Sequence, residues 1–179
     1  MLKKMYEKNI YECSVWANIY LREFLVSNNI FFNCNLKRDE DEEWLLKVLL
    51  LAKKSKLLNI QIYNTRAGRP NSISSNYKWE RNIFKIQISD EILKYCEEIE
   101  INDDKLYERI CMGMVSFYLN AIAMAYKFNR EEKEQILSCA KQYKYILDKA
   151  VSKKQKIGSI VVKLFGFNLS SRILSKFKK

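Results

Sequence analysis

Four glycines and one proline are all that this 179-residue chain supplies for tight turns. A β-sandwich or barrel needs many such turns, so their scarcity argues for helices. Hydrophobic residues make up 48%, enough for a proper core and too many for a disordered chain. The length suits one domain, or one domain with an appendage.

Several chemistries are excluded early. There is no histidine, so Ser-His and Cys-His triads and histidine general bases are out. The five cysteines (Cys13, Cys34, Cys96, Cys111 and Cys139) are scattered, with no C-x-x-C pair, so no zinc or other metal site is expected. They read as thiols in a reducing compartment. The start, MLKKMYEKNIYEC, has no apolar stretch long enough for a signal peptide. No window holds the roughly 20 uninterrupted apolar residues of a membrane span. A cytoplasmic location is expected.

The chain reads in three parts. Residues 1–76 look mixed. A short helix fits 2–12, "SVWANIY" (14–20) reads as a strand, and "LREFLVSNN" (21–29) is a helix ending in asparagines. "IFFN" (30–33) is a short extended run. From Asp39 the spacing of Trp44, Val48 and Leu51, with Leu45, Leu49 and Ala52, is helical. "KLLNIQIYNT" (56–65) reads as another strand and "RAGRPNSISSN" (66–76) as a loop. Residues 77–151 read as helices over Ile83–Ile99, Asp103–Phe128 and Arg130–Val151. Residues 152–179 form a basic tail of short amphipathic segments broken by Gly158, Gly166 and Asn168. The expected class is α+β, predominantly helical, with a small incomplete sheet followed by a helical C-terminal region.

The run "DEDEEW" (39–44) is the most suggestive local feature. Acids at a helix start are favoured by the unpaired N–H groups there, and Asp39 with Glu42 fits a capping box. Capping uses two acids, however, and five packed together repel. Some of them projecting into a cleft would supply a general base or a ligand for a hard cation. Both readings remain open on local pattern.

The wider order of motifs adds to this. "A-N-I-Y-L-R-E-F-L" (17–25), "N-N-I-F-F" (28–32), "E-D-E" at a helix start (40–42), "Y-N-T-R" (63–66) and "N-S-I" (71–73) follow one another with suitable gaps. Together they resemble the C-terminal, acceptor-side half of bacterial family 2 glycosyltransferases of the GT-A type, which build surface polysaccharides. The match covers about residues 10–76. The resemblance implies that Asp41 is the general base that deprotonates the acceptor hydroxyl, with Glu40 and Glu42 as neighbours. It further implies substrate-binding roles for Trp44, Arg66 and Arg69, the arginines near a diphosphate. Two solvated loop arginines are the plain alternative.

The family's donor-side half, with its nucleotide-binding βαβ unit and metal-holding D-x-D motif, is not matched. Asp39–Asp41 is D-x-D only formally, and Asp103–Asp104 reads as a helix cap. The resemblance therefore implies no cofactor on this chain alone. Manganese or magnesium with a nucleotide sugar would enter only with a complementary half. A complementary chain, or self-association through the unfinished sheet edge, is the expected partner.

The tail points elsewhere. From Lys149 to Lys179 there are nine basic residues and no acid, so most of the formal +11 net charge sits there. Lysines interleaved with Ile160, Val161, Val162, Leu164, Phe165 and Phe167 have the composition of an interfacial helix. An anionic membrane surface is thus a candidate partner for 153–179, placing the chain peripherally at the inner face of the membrane. A C-terminal helix packed on the body is the alternative. No nucleic acid is expected, since outside the tail aromatics and cations form no stacking platform. The competing functional class is a non-catalytic helical interaction protein docking on a membrane or a partner enzyme.

Overall fold

The computed structural model describes residues 15–36, 40–56, 58, 60, 61, 63, 64 and 78–176. It divides into two units, residues 1–77 and 78–179. Every regular element among the described residues is helical.

The first unit holds a 3-10 turn (Val15–Ala17), helix α1 (Arg22–Ser27) and helix α2 (Glu40–Leu51). Helix α1 stops as the asparagines predict: Asn28 is the C-cap and Asn29 takes φ 52°, a left-handed value that asparagine tolerates. Helix α2 buries Trp44, Leu45, Val48 and Leu49, the stripe read from spacing.

The expected sheet is a correction. Residues 15–17 form the 3-10 turn, 18–20 and 30–33 are irregular, and no strand occurs among the described residues of 56–65. A strand is stable only when a neighbour takes its N–H and C=O groups, and no two of these segments pair. The β-branched and aromatic residues there report apolar character, not a ladder. The described protein is all-α. The helix at 2–12 and the loop at 66–76 lie outside the described residues.

The second unit contains α3 (Glu80–Glu98), α4 (Asp104–Ala125), α5 (Arg130–Gln142), a 3-10 stretch (Lys144–Lys149) and α6 (Lys153–Lys176). Caps explain the starts. Asp103 accepts the N–H of Leu106 at 3.1 Å, as the acidic pair at 103–104 predicts. Asn129 and Glu132 form a reciprocal capping box. The helix expected over 130–151 tightens into the 3-10 stretch after Tyr143.

Helix α4 is the hub, packed by α3, α5, the 3-10 stretch and α6. Its buried residues include Ile110, Met114, Tyr118, Ile122 and Ala125, a spacing of three and four. Side-chain hydrogen bonds also tie each neighbouring helix to it. Ser89 Oγ of α3 donates to the Met114 carbonyl at 3.1 Å, and Tyr118 Oη donates to the Ala140 carbonyl of α5. Gln155 Nε2 of α6 donates to the Met112 carbonyl at 2.6 Å and to Ser116 Oγ at 2.9 Å.

Helix α6 corrects the reading of the tail as short broken segments. It runs through Gly158 and is interrupted only at Gly166, whose φ of 70° and ψ of 170° are non-helical. Gly158 faces α4: a Cβ there would come within 3.0 Å of a Leu119 methyl. It is a packing contact rather than a breaker. Ser152 and Gln155 form the helix start, with Ser152 Oγ accepting the Gln155 N–H and Gln155 Oε1 accepting the Ser152 N–H.

Candidate functional site

The acids sit in the first turn of α2, in the first unit. Glu40, Asp41 and Glu42 are half-buried and Glu43 is fully buried, 0% exposed. Asp41 Oδ1 accepts the N–H of Glu42 at 3.0 Å. That bond satisfies one of the backbone N–H groups left without an intrahelical partner at a helix start. Glu43 pairs with Lys47 one turn on. Glu43 is thus enclosed with its cation, while Glu40, Asp41 and Glu42 are only partly buried, Glu42 with its Oε2 out of water.

Trp44 follows directly. It is 4% exposed, with Tyr20 packed edge-on at 4.7 Å between ring centroids and Phe32 stacked at 5.0 Å. Those geometries are favourable for aromatic pairs. Burial raises the Tyr20 pKa, a shift reduced by its bond with Asn18. The Tyr20 hydroxyl also donates to the Val15 carbonyl at 3.2 Å. Trp44 therefore braces the acidic turn from behind, since its faces are already covered by Phe32 and Tyr20. The resemblance assigned it to substrate; the structure places it in the core of this unit.

A cleft of about 680 Å³ opens along the other end of α2. Its floor includes Tyr20, Phe24, Leu45 and Val48, and Lys53, Lys54 and Lys56 stand on its rim. The lining of the cleft on α2 begins at Leu45, four residues after Asp41 and about 6 Å further along the axis, so the carboxylates and the cleft share one helix. An apolar floor with a cationic rim suits an amphiphile that carries phosphate.

Arg66 and Arg69 lie outside the described residues, as does Asp39. Among the described residues no group of three or more acids and cysteines converges as a metal-ligand set. The sequence reading did not single out Glu43, Tyr20 or Phe32. The signal for Glu43 was its Lys47 partner four residues on, a spacing that meets on one helix face.

No protein-family model, no curated protein and no solved structure matches this chain.

Proposed function

We propose that this chain is glycosyltransferase-like and provides the acceptor side of a sugar transfer that builds surface polysaccharide, in combination with a complementary donor-binding segment. Asp41 is the general base: it takes the proton of the acceptor hydroxyl as that oxygen attacks the anomeric carbon of a nucleotide sugar. Glu40 and Glu42 set the local field, and Trp44 fixes the turn that carries them.

The observation that carries this reading is the position of Asp41, half-buried in the first turn of α2 with its carboxylate anchored to a backbone N–H. The ordered motifs over residues 17–73 give that position its chemical meaning. A second observation supports the need for a complement. Among the described residues of the first unit, Ile19, Leu21 and Ile60 are exposed along the cleft, and Phe31 is exposed as well. Apolar surface of this kind is ordinarily covered.

Calorimetric titration tests the reading. The purified chain with UDP and Mn²⁺ is expected to give no saturable heat, and a lipid-diphosphate-linked saccharide is expected to quench tryptophan fluorescence saturably. Asp41→Asn leaves that quenching intact, because a general base acts on the proton and not on acceptor affinity. Saturable UDP–Mn²⁺ binding, turnover of a nucleotide sugar by the chain alone, or an acceptor without effect would each overturn it. The second reading, a non-catalytic helical protein docking on a membrane or a partner enzyme, is favoured by the outer surface of α6.

A further inference from the structure

Helix α6 distributes its side chains against the usual rule for a helix packed on a soluble core. Toward α4 it turns Gln155, Gly158, Ser159 and Val162, mostly small or polar residues. Away from it, at a spacing of four, three and four, run Lys153, Ile157, Ile160 and Leu164. Ile157 is 63% exposed and Leu164 73%. Phe165 and Leu169, on either side of the Gly166 break, are exposed as well. The inner side is satisfied by close approach at Gly158 and by the Gln155 bonds, so the large aliphatic groups are not needed to hold the helix in place. They form an apolar strip left largely uncovered by the described residues of the unit.

Charge identifies what covers it. The helix carries six basic residues (Lys153, Lys154, Lys156, Lys163, Arg172 and Lys176) and no acid. A second copy docking by the same face would bring like charge to like charge. A surface of anionic lipid phosphates offers the opposite sign together with hydrocarbon at the depth of the aliphatic strip.

The helix is also long and apolar enough to cross a bilayer, with a best window of mean hydropathy 1.3. Its geometry opposes crossing. The chain breaks at Gly166, and Ser170 Oγ donates back to the Val161 carbonyl at 3.0 Å. The part after the break folds toward the part before it. A spanning helix needs one rod of about 30 Å, with its two ends in different aqueous phases.

We propose that α6 lies flat on an anionic lipid bilayer, with Ile157, Ile160, Leu164 and Phe165 among the acyl chains and Lys153, Lys154 and Lys156 at the headgroup phosphates. Docking of this kind is independent of sugar transfer and holds for either functional reading. Lys163 already pairs with Asp148. It therefore contributes less than the three lysines at the start of the helix.

Vesicle co-sedimentation of the full chain tests the proposal, using phosphatidylcholine alone and phosphatidylcholine mixed with phosphatidylglycerol. The chain is expected to pellet with the mixed vesicles only, and to be released by high salt and by alkaline carbonate. Ile160→Ser and Leu164→Ser each lower partitioning about tenfold, the loss of one aliphatic side chain from hydrocarbon. Both side chains are exposed, so the thermal melt by circular dichroism stays unchanged and separates lost binding from lost folding. Lys153→Ser and Lys156→Ser each weaken binding about fivefold. Equal pelleting with both vesicle types, no pelleting with either, or retention through alkaline carbonate overturns the proposal. So does a dimer in solution that Leu164→Ser dissociates, because a second copy would then be the cover.

Discussion

Replacing Gln155 by alanine should loosen α6 from α4, and the cost can be worked from its bonds. The side chain is 5% exposed and uses both ends of its amide. Oε1 accepts the N–H groups of Val151 and Ser152 at 3.3 and 3.2 Å. Nε2 donates to Met112 and Ser116 across the helix interface. Loss of the capping half costs about 1 kcal/mol. Loss of the two cross-helix bonds costs about 1 kcal/mol each. Alanine returns a few tenths through helix propensity. The net is about 2–3 kcal/mol, equivalent to a fall of about 10–20 °C in the melting temperature of a domain near 100 residues.

A companion variant isolates the donor. Gln155→Glu keeps the oxygen that caps the helix but replaces the NH₂ that faces the Met112 carbonyl. The ionised carboxylate is repelled there, whereas the protonated acid can donate. Its folded pKa is therefore raised above the unfolded value of about 4.3. Sign follows from linkage: the stability of this variant is fully present below the unfolded pKa and is lost as pH rises through the folded one. Relative to wild type, it should melt higher at about pH 4 than at about pH 7. Thermal denaturation followed at 222 nm, a wavelength dominated by helix, reads both variants. A Gln155→Ala melt within about 2 °C of wild type, or a Gln155→Glu deficit that does not change with pH, would refute the reasoning.

Three further outcomes are expected. Trp44→Ala removes the ring that Tyr20 and Phe32 enclose and costs the first unit about 3–5 kcal/mol, so its near-ultraviolet aromatic dichroism should collapse; a retained signal would show that the cluster does not hold α2. Maleimide should label exposed Cys34 well before Cys96 and Cys139, whose burial pushes their thiols up to about 12 and about 11, and peptide mass mapping over a time course reads the order. Asp90 is buried and accepts from Lys94 Nζ at 2.8 Å and Tyr145 Oη at 2.7 Å, so Asp90→Asn should cost about 1–3 kcal/mol in urea unfolding, where an unchanged midpoint would count against the pair.

The parts of the fold that the sequence made legible are those where one residue acts on its near neighbours. Spacing located α2 through Trp44, Val48 and Leu49, and Asp103 marked the start of α4 by capping it. Misreadings arose where the deciding partner is distant or missing. The aromatic and β-branched stretch at 14–20 resembles a strand in composition, but a strand is defined by its neighbour. Gly158 looks like an interruption until Leu119, far away in sequence, is seen against it. Gln155 gave no hint of its reach to Met112 and Ser116. At the candidate site the acidic start of α2 was legible from the run of carboxylates itself. Which of the acids turned inward was harder to read, because five consecutive carboxylates carry no periodicity and only Lys47, four residues on, points to Glu43.

The polar bonds that α3, α5 and α6 make to α4 bear on how uniquely this bundle is assembled. Helices lined with Ile, Leu, Val and Ala can shift against one another by a turn and still bury similar hydrocarbon, so apolar contact alone would tolerate several alignments. Ser89, Tyr118 and Gln155 act as alignment pins. Tyr118 and Gln155 each find their acceptor at one rotation and one height, and a slipped arrangement strands those donors away from water at a cost of about 1–3 kcal/mol, whereas Ser89 keeps the Lys85 carbonyl of its own helix at 2.7 Å. A sequence with these three positions made apolar should still collapse into helices, but into a mixture of registers rather than a single one.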